Sequence, residues 1–243
     1  MTDPVVRFSK VSKRFGANRV LRGVELEIEA GQFFGLVGVN GAGKTTLLKC
    51  LLDFCDPNEG RIDVFGVGQQ GYRARARLAF LPERFMPPYF LSGREFLRMM
   101  LRLAGAGAAH GRIEDMMSSI DFDPAALDRP VRSYSKGMTQ KLGIAACFLS
   151  GRDLYVFDEP MSGLDPKARA LVKTLLARMR GEGRSLLMTS HSLADIEEIC
   201  DHMAVLHNGS VLFSGDPGEL RARHGGASLE QAFLRCIEAD ANV

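Results

Sequence analysis

The spacing of apolar residues divides this chain into three parts. Near the N-terminus, Val5 to Phe8 alternates with a period of two, and Val24 to Ile28 does so again with Glu25 and Glu27 between apolar neighbours. Two short alternating runs predict a small antiparallel sheet. Phe33 to Val37 is then a continuous apolar run around Gly35, as expected of a strand buried on both faces. It leads into a glycine-rich segment, after which Lys44 to Leu52 reads as a helix. Arg61 to Phe65 and Leu78 to Leu81 read as further strands.

From Arg94 to about Leu149 the period becomes helical, with turn residues at Gly105 to Gly111 and Asp121 to Pro130. Leu97, Met100, Leu101 and Leu103 fit one helix face, and Ile113, Met116, Met117 and Ile120 another. Methionine-rich faces of this kind usually belong to a core. Ser135 is placed to cap a helix running to Leu149. Beyond it the alternation of elements returns. Leu154 to Phe157, Ser185 to Thr189, Met203 to Leu206 and Val211 to Ser214 predict strands, the last two joined at His207-Asn208-Gly209. Lys167 to Arg180, Leu193 to Cys200 and Leu229 to Ile237 predict helices. Strand–helix alternation on both sides of a helical insert implies a wound α/β core carrying a helical lobe.

Composition narrows the function. The 243 residues are 46% hydrophobic and 25% charged, with a formal charge of +2, so no global field draws the chain to nucleic acid. Arg73, Arg75 and Arg77 form the densest basic cluster, which reads as a solvated helix face. No apolar run approaches the ~20 residues that cross a bilayer, and MTDPVVRFSK has no apolar stretch of signal-peptide type. The expectation is a cytoplasmic protein. Five cysteines without paired CxxC spacing argue against a disulfide framework or a zinc site.

The segment GVNGAGKTT at 38–46 carries chemistry. Gly38, Gly43, Lys44 and Thr45 stand at the spacing of a phosphate-binding loop. The glycines let backbone N–H groups of the loop, including Asn40, Gly41, Ala42 and Thr46, turn toward phosphate oxygens. The helix that follows offers its positive end to the same anion. Lys44 neutralises the outer phosphates and Thr45 is placed to ligate Mg²⁺. Further on, the apolar run Leu154 to Phe157 delivers Asp158 and Glu159. Adjacent carboxylates at the end of a buried strand are costly unless they are paired or bound to a metal, and open α/β sheets bind ligands at that end. Asp158 is thus a candidate holder of magnesium and Glu159 a candidate base for an attacking water.

Three further segments carry a resemblance. YSKGMTQK at 134–141 resembles the signature of the ATP-binding cassette (ABC) family, SGLDP at 162–166 its D-loop, and Thr189-Ser190-His191 its switch histidine. Their order is the family's, and the resemblance covers nearly the whole chain. It implies a RecA-like P-loop NTPase core with an N-terminal antiparallel β-subdomain and an inserted helical subdomain. The expected division is 1–83 with 151–243 as the core and 84–150 as the signature lobe. The resemblance also implies ATP with Mg²⁺, a head-to-tail dimer of two copies sandwiching the nucleotide, and a separate membrane permease. Ser135 and Gly137 are then expected to meet a nucleotide held by the second copy. By the same resemblance His191 is expected to sense the γ-phosphate and Asp165 to communicate across the dimer. Phe15, which by itself suits either adenine stacking or the core, matches the stacking aromatic.

Departures from that pattern narrow the expectation. Glu83 follows Leu81-Pro82 where glutamine is usual, keeping a metal ligand but losing an amide donor. Lys136 and Met138 replace the commonest glycine and glutamine of the signature. These variants resemble a subgroup working with exporter-type permeases. The apolar, proline-rich stretch Glu83 to Glu95, with Phe85, Met86, Tyr89 and Phe90, suits either permease docking or the core. The alternatives are a soluble member of the family serving translation or DNA repair, or a non-hydrolysing regulatory subunit.

Overall fold

A computed structural model describes residues 4–105 and 111–241. The turn expected over Gly105 to Gly111 thus falls mainly outside the described residues. Two sheets organise the rest. The first is antiparallel, in the order β2-β1-β4-β5, with β1 at Val6–Phe15, β2 at Asn18–Ile28, β4 at Glu59–Val64 and the short β5 at Val67–Gly68. The second has the order β10-β9-β3-β8-β7-β6. Its parallel strands are β3 (Phe33–Val37), β6 (Leu78–Leu81), β7 (Leu154–Asp158), β8 (Ser185–Thr189) and β9 (His202–His207). Strand β10, Ser210–Gly215, returns antiparallel along β9. Asn208 and Gly209, both at positive φ, make that turn.

The strands of the parallel sheet are apolar in their interiors because both faces are covered, and alternate residues go to different layers. Phe33, Val37, Tyr155, Phe157, Leu186, Met188, Met203 and Val205 enter one core. Their neighbours Phe34, Leu36, Leu154, Val156, Leu187, Ala204 and Leu206 enter the other. The second core is closed by helix α1 (Lys44–Leu51) and by apolar residues of the antiparallel sheet, among them Val6, Phe8, Val24 and Ile62. The first is closed by helices α3 (Gly93–Leu103), α4 (Arg112–Ser119), α5 (Lys136–Leu149), α6 (Pro166–Gly181), α7 (Leu193–Ile199), α8 (Pro217–His224) and α9 (Leu229–Ala241). A four-residue helix, α2 at Tyr72–Arg75, precedes β6.

The stretch between β6 and β7 contains α3, α4, two 3₁₀ turns and α5, with no strand among its described residues. Leu97, Leu101, Ile113, Met117 and Ile120 are buried there, as their spacing predicts, whereas Leu103 is exposed. Ser92 opens α3 with a reciprocal capping box to Glu95. Ser135 opens α5, its hydroxyl oxygen accepting from Met138 N at 3.2 Å. Four of the five cysteines are buried and the fifth, Cys55, is half-buried. The Sγ atoms of Cys50 and Cys55 lie 3.6 Å apart as free thiols. Arg75 and Arg77 of the basic cluster pair with Asp53 and Asp153.

Candidate functional site: a nucleotide cleft at the strand ends

Strands β3, β6, β7 and β8 run parallel, so the segments after them emerge on one edge of the sheet. The loop after β3 wraps into α1, and its backbone needs glycine in two ways. A side chain at Gly38 would put its Cβ 2.2 Å from the Leu206 carbonyl oxygen. Gly41 and Gly43 have φ of 82° and 112°, where a side chain is strained. Around this loop lies a cleft of about 490 Å³. Asn40, Gly41, Ala42, Gly43, Lys44, Thr45 and Thr46 line it with Glu83, Asp158, Glu159 and His191. Asn40 and His191, 151 positions apart in the chain, therefore share one cavity. Sequence reasoning did not single out Asn18 and Val20, which also line it. They follow the β1–β2 turn, where Asn18 pairs with Phe15.

Lys44 is folded back on its own loop. Its Nζ donates to the carbonyl oxygens of Gly38 at 2.7 Å and Val39 at 3.3 Å. Burial pushes its pKa below the usual lysine value, while the carboxylates of Glu159, Asp158 and Glu83 oppose the shift. The cation is thus held at the mouth of a helix N-terminus, where phosphate charge is most favoured.

Asp158 closes β7 in the core. Burial raises its pKa, and the Thr189 hydroxyl, donating to Oδ1 at 2.6 Å, acts in the opposite sense. The same Thr189 oxygen accepts from Glu159 N at 3.0 Å. One hydroxyl of β8 thus fixes both ends of the carboxylate pair. Glu159 has φ 52°, a conformation that costs a non-glycine residue on the order of 1 kcal/mol or more and persists where its surroundings impose it. The turn sends the Glu159 side chain away from β7 toward His191. His191 N donates to Glu159 Oε2 at 3.2 Å, and His191 Nε2 lies 3.4 Å from Oε1. Oε1 is buried and accepts no hydrogen bond. Burial raises the Glu159 pKa, with His191 opposing it. This arrangement holds a carboxylate with a free acceptor beside an imidazole, within reach of the phosphate cradle.

The other predicted residues stand outside this cleft. Phe15 is half exposed at the end of β1, with Lys13 Nζ 5.1 Å from its ring centre. It belongs to neither core and is not among the residues lining the cleft. Ser135 and Gly137 sit at the N-terminus of α5, and Asp165 caps α6 by accepting from Ala168 N at 2.8 Å. None of these three lines the cleft. Gln140, which the sequence did not single out, is buried and donates from Nε2 to the Pro160 carbonyl oxygen at 2.9 Å. It joins the signature helix to the segment immediately after Glu159.

A glycine cradle at a helix N-terminus, a buried lysine and strand-end carboxylates on a parallel sheet define a P-loop nucleotide-binding protein. Comparison with known proteins gives the family. The sequence pattern described as "ABC transporter" matches residues 21–162. The daunorubicin resistance ATP-binding protein DrrA3 of Streptomyces coeruleorubidus is 32% identical, over 100% of this chain and 78% of its own. The Nod factor export ATP-binding protein I of Ralstonia nicotianae is 33% identical, over 96% and 73%. A solved ATP-binding subunit of an ABC transporter superposes with a TM-score of 0.87 at 29% identity, covering 96% of this chain and 99% of that one. A dimeric ATP-binding cassette holding ADP and Pi superposes at 0.77 with 20% identity, a likeness of fold. The chain belongs to the ABC transporter family, as one of its ATP-binding, ATP-hydrolysing subunits.

Proposed function

We propose that this chain binds ATP with Mg²⁺ in the cleft at 38–46, hydrolyses it, and thereby drives a separate membrane permease of an exporter. The observation that carries the reading is the meeting of Lys44, Asp158, Glu159 and His191 in one cleft while Ser135 and Gly137 lie outside it. The first group suffices to hold and attack a triphosphate. The second is an anion site without a nucleotide loop of its own, which suits a head-to-tail pair of copies. The names of its relatives, a daunorubicin resistance protein and a Nod factor export protein, support export.

Thr45, Asp158 and Glu83 present hard oxygen donors beside the cradle, the chemistry that suits magnesium. Among the described residues no group of three or more His, Cys, Asp or Glu forms a metal cage. Bound there, magnesium would neutralise charge on the outer phosphates. The Glu159 carboxylate, which lines the cleft, takes the proton of the attacking water. His191 orients that water and the γ-phosphate. Lys44 leaves its loop carbonyls for the phosphate oxygens. Phe15, exposed near Asn18 and Val20, offers the adenine a ring face, and Asp165 lies at the facing surface of the second copy.

No helix among the described residues is long and apolar enough to cross a membrane. We place the chain on the cytoplasmic side, bound through its permease. Segment 84–150 is the lobe that moves against 1–83 and 151–243. Met86, Tyr89 and Phe90, exposed at 86%, 67% and 69%, form the docking surface, while Phe85 is the core member of that stretch, edge-on to Phe96 at 5.7 Å. Phosphate release by the purified chain tests hydrolysis, and co-purification of a hydrophobic partner from detergent-solubilised membranes tests the assembly. An inactive wild type, or recovery only with ribosomes, overturns the reading.

A further inference from the structure

The first turn of α5 and the segment Pro160 to Gly163 are fastened along their whole contact. At the inner end, Gln140 Nε2 donates to the Pro160 carbonyl oxygen. In the middle, a Cβ on Gly137 would lie 3.0 Å from the Gly163 carbonyl oxygen, so the two backbones touch. At the outer end, Lys136 lies across Gly163. A Cβ on Gly163 would meet Lys136 Cδ at 2.9 Å and Cγ and Cε at 3.0 Å, and Gly163 has φ 77°. The lysine ends on Ser162, its Nζ donating to Oγ at 3.0 Å.

A lysine in the first turn of a helix opposes the helix dipole. Here the chain of Lys136 leaves the helix end and is spent on segment 160–163. The N–H groups of Lys136 and Gly137 therefore stay open to an anion, while that of Met138 is held by the Ser135 hydroxyl. The position is also one where the resembled signature most often has glycine, which can form neither the stem contact nor the hydrogen bond.

We propose that Lys136 is a positioning residue: it clamps Ser162 and Gly163 to the signature helix, so that an anion received at Ser135 and Gly137 moves the turn carrying Glu159. Segment 160–163 follows Glu159 directly, and Glu159 is held in a strained turn by Thr189. A rigid fastening at Gly163 transmits a displacement of α5 to that turn, and a loose one absorbs it. The lysine acts on the base through the backbone and on the second copy's nucleotide not at all. This inference rests on the hydrolytic reading above.

The test compares the full-length wild type with Lys136→Met, Lys136→Arg, Ser162→Ala and the Met/Ala double variant. Lys136→Met keeps the stem but loses the hydrogen bond. Its kcat at saturating ATP should fall about tenfold, an effect that a small misplacement at a reacting centre can produce, with KM unchanged. Arg should restore kcat, and the double variant should be no worse than either single one. Hydrogen exchange of the peptide over 159–164, read without nucleotide, should quicken in the Met and Ala variants. A raised KM with unchanged kcat means that the lysine serves the partner's phosphate instead, and overturns the clamp. Unchanged kcat in every variant, or unchanged exchange, overturns it too. A wild type that releases no phosphate refutes the hydrolytic reading separately, and the exchange measurement still decides whether the clamp exists.

Discussion

The phosphate loop and the signature turn use the same device, a helix N-terminus opened by a small-residue segment, yet they differ in what the chain itself supplies. At 38–46 the anion cradle is surrounded by its lysine, two strand-end carboxylates, Glu83 and a histidine, all in one cleft. At 135–138 the cap is a serine, and what lies against it is not the cleft but the segment Pro160 to Gly163. The Ser135 oxygen accepts from Met138 N, which leaves the hydroxyl proton to donate. One region is therefore built to perform chemistry within the chain. On the function proposed above, the other receives a ligand and reports its position to the chemistry. Two copies, each lending the second region to the other's first, would make both complete.

The largest effect should come from the first region. Glu159→Gln keeps the shape of the side chain and removes the base. Phosphate release should drop by at least about a hundredfold, as loss of a general base does, while ATP binding measured by equilibrium titration is retained. Undiminished hydrolysis would take Glu159 out of the role and leave the cleft as a binding site only.

Ser135→Ala probes the second region. Turnover should fall roughly tenfold or more, in line with loss of one charge-assisted hydrogen bond. ATP binding to the single chain should not change, because Ser135 lies outside the cleft. Mixing sharpens the contrast. A dimer of one Glu159→Gln chain and one Ser135→Ala chain puts both altered residues in one composite site and leaves the other with unaltered Glu159 and Ser135. It should keep up to about half of the wild-type rate, the shortfall measuring how far the anion at Ser135 positions Glu159 of its own chain. If Ser135 served its own chain's nucleotide, both sites would be damaged and the mixed dimer would be nearly inactive.

The sequence made the first region legible and only half of the second. Strands β3 and β6 begin and end where their apolar runs do, because a strand packed on both faces has no polar position to blur its edge. The loop and the carboxylate pair follow such strands, so their place at the sheet edge could be read directly. Strand β1 was harder. Beyond Phe8 it continues to Phe15 through exposed Lys10 and Arg14 and half-buried Lys13, with register shifts between Phe8 and Arg14, and the alternation is lost there. Helix α8 escaped because it buries only Pro217 and Leu220. Its readable signal was the capping box of Asp216 and Glu219. Gln140 and Lys136 could not have been assigned from sequence, since their partners Pro160 and Ser162 are 20 and 26 residues away and define no period.

Acidity separates the two regions by a smaller effect, on stability. Burial raises the Asp158 pKa, so the folded chain holds that proton more tightly than the unfolded one. The stabilising contribution is full below the ordinary aspartate pKa and is lost as pH rises through the raised folded value. At neutral pH the nucleotide-free protein carries a buried charge that Asp158→Asn removes. The Tm of the variant should therefore exceed that of the wild type at pH 7, and the gap should narrow as pH is lowered into the carboxylate range. Ser135→Ala has no such dependence, and its Tm difference should stay constant over the same pH series. A gap for Asp158→Asn that widened on acidification would mean that the hydrogen bond from Thr189 outweighs burial.

The smallest effect concerns the joint between the regions. Gln140 is buried, and its amide is the donor that Pro160 O receives. Gln140→Leu fills much of the same space but leaves that carbonyl without a partner, a cost of about 1–3 kcal/mol for a buried acceptor. Urea unfolding should register it as a lower midpoint with an unchanged slope. What matters for the comparison is whether turnover falls further than stability requires. At a temperature where both proteins are fully folded, the variant should still hydrolyse ATP more slowly at saturating substrate, because the strand-end turn and the signature helix would no longer move as one body. If kcat at that temperature equals the wild-type value, then the Gln140–Pro160 bond does not position Glu159, and the two regions communicate through the Lys136 contact or the bound nucleotide instead.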